Sequence, residues 1–129
     1  LIVLDASVLI AHLDDSDGHH EAAEGLLFEA AGQRLAISPI SLAEVLVGPA
    51  RRGQLERALA ALAQLDLTIL AFEDDASLRL ALLRSSTSLK LPDCCVLLAA
   101  ENAGASLASF DDQLRAVASQ LGMVVLPGG

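Results

Sequence analysis

Four carboxylates stand where their types and neighbours would suit chemistry. Asp5 follows the apolar run Leu1-Ile-Val-Leu4, Glu44 ends Ser38-Pro-Ile-Ser-Leu-Ala-Glu44, Asp93 ends Leu91-Pro-Asp93, and Asp111 ends Ser109-Phe-Asp111. Two carboxylates ~5 Å apart repel by roughly 3 kcal/mol at an effective dielectric of ~20. A pocket that gathered all four must protonate, spread outward or bind a cation. Ligands that are all oxygen suit a hard ion such as Mg²⁺ or Mn²⁺, which keeps waters and binds phosphate. Such an ion orients and activates water against a phosphodiester and stabilises charge on the leaving oxygen, and substrate phosphate can help to bind a second ion. The set reads as a metal-dependent nuclease site.

Each acid also has a local explanation. Asp5 before Ala6, and Asp93 after Pro92, can cap helices by accepting orphan backbone N–H bonds. Glu44 can form a capping box with Ser41, although Pro39 suits the first helical position after Ser38 and would put Glu44 more than a turn inside. Ser109-Phe-Asp-Asp112 fits another capping box, and Asp112 is a rival for Asp111. Joint placement counts for more than any single residue. In an open parallel sheet, ligands bind outside the carboxyl ends of the strands, and Asp5 and Asp111 both fall just past an apolar run.

The elements that must position these acids alternate short apolar runs with helical patterns, the signature of an α/β fold. Strands are expected at 1–4, 35–37, 67–70, 106–108 and 123–126, and helices at 7–13, 19–31, 39–47, 52–64, 74–85, 93–103 and 112–120. Gly32, Gly48, Gly53, Gly104 and Gly122 punctuate them as breaks or caps. Cys-Cys-Val-Leu-Leu-Ala-Ala after Asp93 is apolar nearly all round, which predicts a helix buried on most faces. The polar stretches 14–18 and 85–88 are too short for linkers, so residues 1–129 are expected to form one domain.

Composition sets limits. Acidic, basic or amide residues interrupt every apolar run, which excludes a membrane span, and the start of the chain lacks the pattern of a secretory signal. A cytoplasmic location is expected. The adjacent Cys94 and Cys95 would make a strained disulfide and lack partners for zinc, so they are read as reduced core residues. A net charge of −9 is awkward for binding phosphate. RNA contact must then use a small basic patch, with Arg51, Arg52, Arg57 and Lys90 as candidates, or a surface completed by a second subunit. His12, His19 and His20 have no defined catalytic partner and are left outside the site.

Other α/β chemistries fail on named residues. A receiver domain wants an acidic pair after the first strand, an Asp after the third and a Lys after the last, but the third run ends in Leu70-Ala-Phe and no Lys follows the fifth. A haloacid-dehalogenase-like phosphatase wants an Asp where Ser7 stands, and a dinucleotide site wants glycines where the chain reads Asp5-Ala-Ser-Val.

Asp5-Ala-Ser7, Ser41-Leu-Ala-Glu44, Leu91-Pro-Asp93 and Ser109-Phe-Asp111, in this order and over nearly the whole chain, resemble the PIN-domain ribonucleases, in particular the VapC-type toxins of bacterial toxin–antitoxin pairs. The resemblance implies a single Rossmann-like domain with a five-stranded parallel sheet flanked by helices. It also implies Mg²⁺- or Mn²⁺-dependent endoribonuclease activity, with tRNA or rRNA as candidate substrates, homodimerisation, and a cognate antitoxin as inhibitor. Carried over, Asp5 and Asp93 would be the main metal ligands, with Glu44 and Asp111 completing the pocket. Ser7 and Ser109 would support it by hydrogen bonding; the family often has Thr in place of Ser109. The apolar face from Ile40 to Leu62 would suit either an antitoxin helix or plain core packing. The alternative is a catalytically weak PIN-like module that acts mainly by binding a protein partner.

Overall fold

The computed structural model describes residues 1–128. In chain order the elements are β1 (Ile2–Leu4), α1 (Ala6–Leu13), α2 (His20–Glu29), β2 (Leu35–Ile37), α3 (Pro39–Arg51), α4 (Leu55–Ala63), β3 (Thr68–Ile69), α5 (Ala76–Ser86), α6 (Leu91–Ala103), β4 (Ser106–Ala108), α7 (Asp112–Gln120) and β5 (Val125–Leu126). The five strands form one parallel sheet in the order β3-β2-β1-β4-β5. Ile2 of β1 is in register with Leu35 of β2 on one side and Ser106 of β4 on the other.

The apolar runs are unbroken because the central strands are covered on both faces. Ile2, Leu4, Leu35 and Ile37 point into a core shared with α1, α2, α3 and α4. Val3, Ala36 and Leu107 point into a second core built from α5, α6 and α7. All three residues of β1 are buried, so the residue that follows them leaves a rigid platform.

The structure revises several boundaries. Gly48 is not a break: α3 runs through Gly48 and the buried Pro49 to Arg51. The proline removes one backbone bond of the helix, that of its missing N–H. The stop is Gly53, with φ +67°. There Gln54 N–H donates to the Pro49 carbonyl at 2.8 Å and Gly53 N–H to the Ala50 carbonyl at 3.3 Å, the paired bonds of a Schellman ending. Helix α6 begins at Leu91 rather than Asp93, with Lys90 as N-cap and Pro92 in its first turn. Strands β3 and β5 are shorter than expected, two residues each, because they are the sheet edges and pair on one side only.

Candidate active site

The order of the strands reverses direction between β1 and β4, and in an open parallel sheet such a switch point is where a ligand crevice forms at the carboxyl ends of the strands. Asp5 is the first residue beyond β1. Its N–H donates to the Ala108 carbonyl at the end of β4 at 2.8 Å, so the sheet ladder itself places it. It also caps α1, as the local explanation expected, but most of its bonding lies elsewhere.

Asp5 Oδ2 accepts from Ser7 Oγ at 2.7 Å, from Ser109 Oγ at 2.9 Å and from Ser7 N–H at a long 3.4 Å. Each serine is bonded again on its other side. Ser7 Oγ accepts from Phe110 N–H and Ser109 Oγ from Asp111 N–H, both at 3.0 Å. One carboxylate oxygen and two hydroxyls thus tie the β1–α1 connection to the β4–α7 connection. Oδ1 makes no hydrogen bond among the described residues and is not sealed from solvent, which leaves it open to a ligand. Asp5 as a whole residue is only 5 % exposed. A buried charge with one oxygen saturated and the other free is oriented like a ligand.

Asp111 caps α7, with Oδ1 accepting from Leu114 N–H at 2.9 Å, and Asp112 is the first helical residue. The expected pairing of Ser109 with Asp112 does not form, because Ser109 Oγ is engaged by Asp5 and Asp111. Asp93 is not a cap but sits in the first turn of α6, half-buried, and Glu44 projects from the second turn of α3, more exposed. Helices α3 and α6 pack against each other, which brings these two acids to the same edge.

Electrostatics show that the four acids share one space. Burial, then the charges of Asp5 and Asp111, push Asp93 up to about 6 from an ordinary 3.8, with Lys90 pulling weakly the other way. Burial, then Asp5 and Asp93, raise Glu44. Asp111 acts on Asp93, whereas Asp112 is not among the charges felt there. Among the described residues, no three His, Cys, Asp or Glu side chains are drawn together tightly enough to hold an ion as they stand. The residues fit a hard divalent cation: every candidate donor is a carboxylate oxygen, and Asp5 offers a free Oδ1.

Around the acids, Glu44 lines a cleft with Ile10, Leu13, Pro49 and Arg52. Leu13, Pro49 and Arg52 also line the next cleft, which continues to Arg57. Two of the four candidate cations therefore border a groove that begins at an acid, and Lys90 lies close enough to Asp93 to act on its charge. Cys94 and Cys95 are free and buried. His12 pairs with Glu24, and His20 Nδ1 donates to the Ala11 carbonyl at 2.8 Å, so both fasten α2 to α1. His19 instead stacks on Phe110, between the two site residues Ser109 and Asp111. Spacing gave no sign of this, because the pair joins loops from opposite ends of the chain.

The sequence profile of the PIN domain matches residues 2–120. No curated protein sequence is significantly similar to the chain. Among solved structures, a toxin–antitoxin complex from Klebsiella pneumoniae is similar over 86% of this chain and 87% of its own, at 31% identity and a TM-score of 0.69. The sarcin-ricin loop cleaving toxin VapC20 of Mycobacterium tuberculosis is similar over 96% of this chain and 97% of its own, at 18% identity and a TM-score of 0.75. FitAcB from Neisseria gonorrhoeae is similar over 97% of this chain and 96% of its own, at 20% identity and a TM-score of 0.76. The last two likenesses bear on the fold alone.

Proposed function

The chain belongs to the PIN-domain family, and on that premise we propose that it is a divalent-metal-dependent endoribonuclease, the toxin of a toxin–antitoxin pair. The observation that carries this is the grouping of Asp5, Glu44, Asp93 and Asp111, with Asp93 pushed up to about 6 by burial first and then by the charges of Asp5 and Asp111. Asp5 and Asp93 would hold Mg²⁺ or Mn²⁺, with Glu44 and Asp111 completing the pocket directly or through water.

When bound, the ion supplies Lewis acidity for the phosphodiester and a water activated for attack. The protein's part is orientation. Ser7 and Ser109 lock Asp5 Oδ2 and so aim Oδ1, while the cap to Leu114 fixes Asp111. Among the described residues Glu44 and Asp93 make no hydrogen bond to another side chain, which would leave them free to take up an ion or to hold a proton near the reacting phosphate. Arg52 and Arg57 along the adjoining groove would take the RNA backbone.

Homodimerisation and antitoxin binding belong to the same proposal. Leu78 and Leu82 stand exposed one turn apart on α5, and Ile40, Val47, Leu55 and Leu59 are exposed along α3 and α4. Both are apolar surface that partners would cover. Such a protein would act in the cytoplasm, beside its RNA and its inhibitor. No helix among the described residues is long and apolar enough to cross a membrane.

The test is cleavage of bacterial tRNA and rRNA fragments by the purified protein with Mg²⁺, with Mn²⁺ and with EDTA. Cuts that need the metal and vanish in Asp5→Asn are expected. A folded protein that binds its partner and cuts nothing under either metal would favour the binding-module alternative.

A further inference from the structure

His19 and Phe110 are the one stacked ring pair among the described residues, with centroids 4.6 Å apart and planes inclined by 4°. Phe110 packs against the core beneath α1 to α4, and Ser7 Oγ holds its backbone N–H at 3.0 Å. The bonds that aim Asp5 therefore also fix this ring. The His19 side chain is 60% exposed, so its imidazole covers Phe110 with one face and offers the other to solvent. Asp17 Oδ1 accepts the His19 backbone N–H at 2.8 Å and steadies the residue at the start of α2. A flat ring thus rests on Phe110, the residue between Ser109 and Asp111 in the chain.

The rest of the chain sharpens the meaning of that ring. It has three Phe, no Trp and no Tyr, and a net charge of −9. Phe28 projects alone from α2, and Phe72 lines a cleft with Leu98 and Asn102. Proteins hold unpaired bases of single-stranded RNA by stacking them on aromatic or His planes, at a strength that backbone attraction here is poorly placed to replace. We propose that the outer face of His19 is a stacking platform for an unpaired nucleobase of the RNA, close to the phosphate that the four acids address. This rests on the nuclease function proposed above.

The test is steady-state cleavage of a synthetic single-stranded RNA in Mn²⁺ by the wild type, His19→Ala and His19→Phe, each first shown by thermal melting to be folded. The same RNA is also made as a series with one abasic nucleotide at successive positions. His19→Ala is expected to raise KM roughly tenfold, the worth of one base–aromatic stack, with kcat little changed. His19→Phe restores KM. One abasic position near the cut reproduces the loss in the wild type and makes the enzyme indifferent to His19→Ala. An unchanged KM in His19→Ala, failure of Phe to restore it, or a loss spread equally over all abasic positions overturns the platform while leaving the nuclease intact. A weakened complex with a protein partner, with KM untouched, would assign the ring face to a protein interface and overturn it too. Absence of any metal-dependent cleavage by the wild type defeats the nuclease function first and the platform with it.

Discussion

Asp5 shows how one residue can have a local and a chemical role at once. Its Oδ2 serves the fold by joining two loops through Ser7 and Ser109, while Oδ1 is left over for a ligand. Capping and catalysis were alternatives in the sequence because a capping Asp and a ligating Asp are written with the same letter; in the proposed site the two roles would fall on different oxygens of one group. Ser109→Ala removes one of the two hydroxyl donors to Asp5 Oδ2 and leaves the Asp111 N–H without its partner, and chemical denaturation should show a loss of about 1–3 kcal/mol. Ser109→Thr, which keeps the hydroxyl, should retain most of the stability. Asp93 behaves in the opposite sense. Its folded pKa of about 6 lies above the ordinary 3.8, so the folded chain binds more protons than the unfolded one between those values. Stability of the metal-free protein therefore falls as pH rises through that window. In EDTA near pH 7.5, Asp93→Asn should melt higher, by about 1 kcal/mol or roughly 4 °C once solvent screening of a half-exposed group is allowed for. The two should converge below about pH 4, and added Mg²⁺ should raise the melting point of the wild type more than that of the variant. Ser41 Oγ is the one buried side-chain polar atom without a partner among the described residues, so Ser41→Ala should be neutral or slightly stabilising by melting temperature.

At the scale of elements, the chain order of strands and helices was legible because β1 and β2 are short, fully buried apolar runs and β4 buries Leu107 and Ala108. The edges were harder to read: β3 and β5 pair on one side only, and their ends have no apolar pattern to mark them. Gly48 was misplaced as a break because Gly48-Pro49 looks like an ending, while the paired bonds that do end α3 form five residues further on at Gly53. The start of α6 was missed for a similar reason, since Asp93 looks like a cap and Lys90 does not. Helix α6 carries Asp93 on a segment in which Cys94 to Leu98 are all buried. Leu97→Ala should cost about 2–5 kcal/mol in denaturant unfolding. Gly104 closes the same helix at φ +60°, and Gly104→Ala should cost about 1–2 kcal/mol.

At the scale of the whole molecule, strand order makes the site. Placing β1 beside β4 brings residues 5 and 111 to one crevice, and the packing of α3 on α6 adds 44 and 93. The four acids could be named as candidates from the sequence, but their coupling could not be read there, because it depends on contacts between elements distant along the chain. The excess of negative charge persists in the folded protein, with Arg52 and Arg57 bordering the groove that runs on from Glu44. Arg52→Ala with Arg57→Ala should weaken RNA binding and flatten its dependence on salt concentration, measured by fluorescence anisotropy. The central claim is that the four acids bind a divalent ion and that the bound ion is needed to cut RNA. Its most direct test follows Mn²⁺ occupancy and RNA cleavage rate in the same titration, for the wild type and Asp5→Asn. Cleavage should rise in step with occupancy in the wild type, and both should be lost in the variant. Full-rate cleavage in EDTA, or unchanged Mn²⁺ binding by Asp5→Asn, would contradict it.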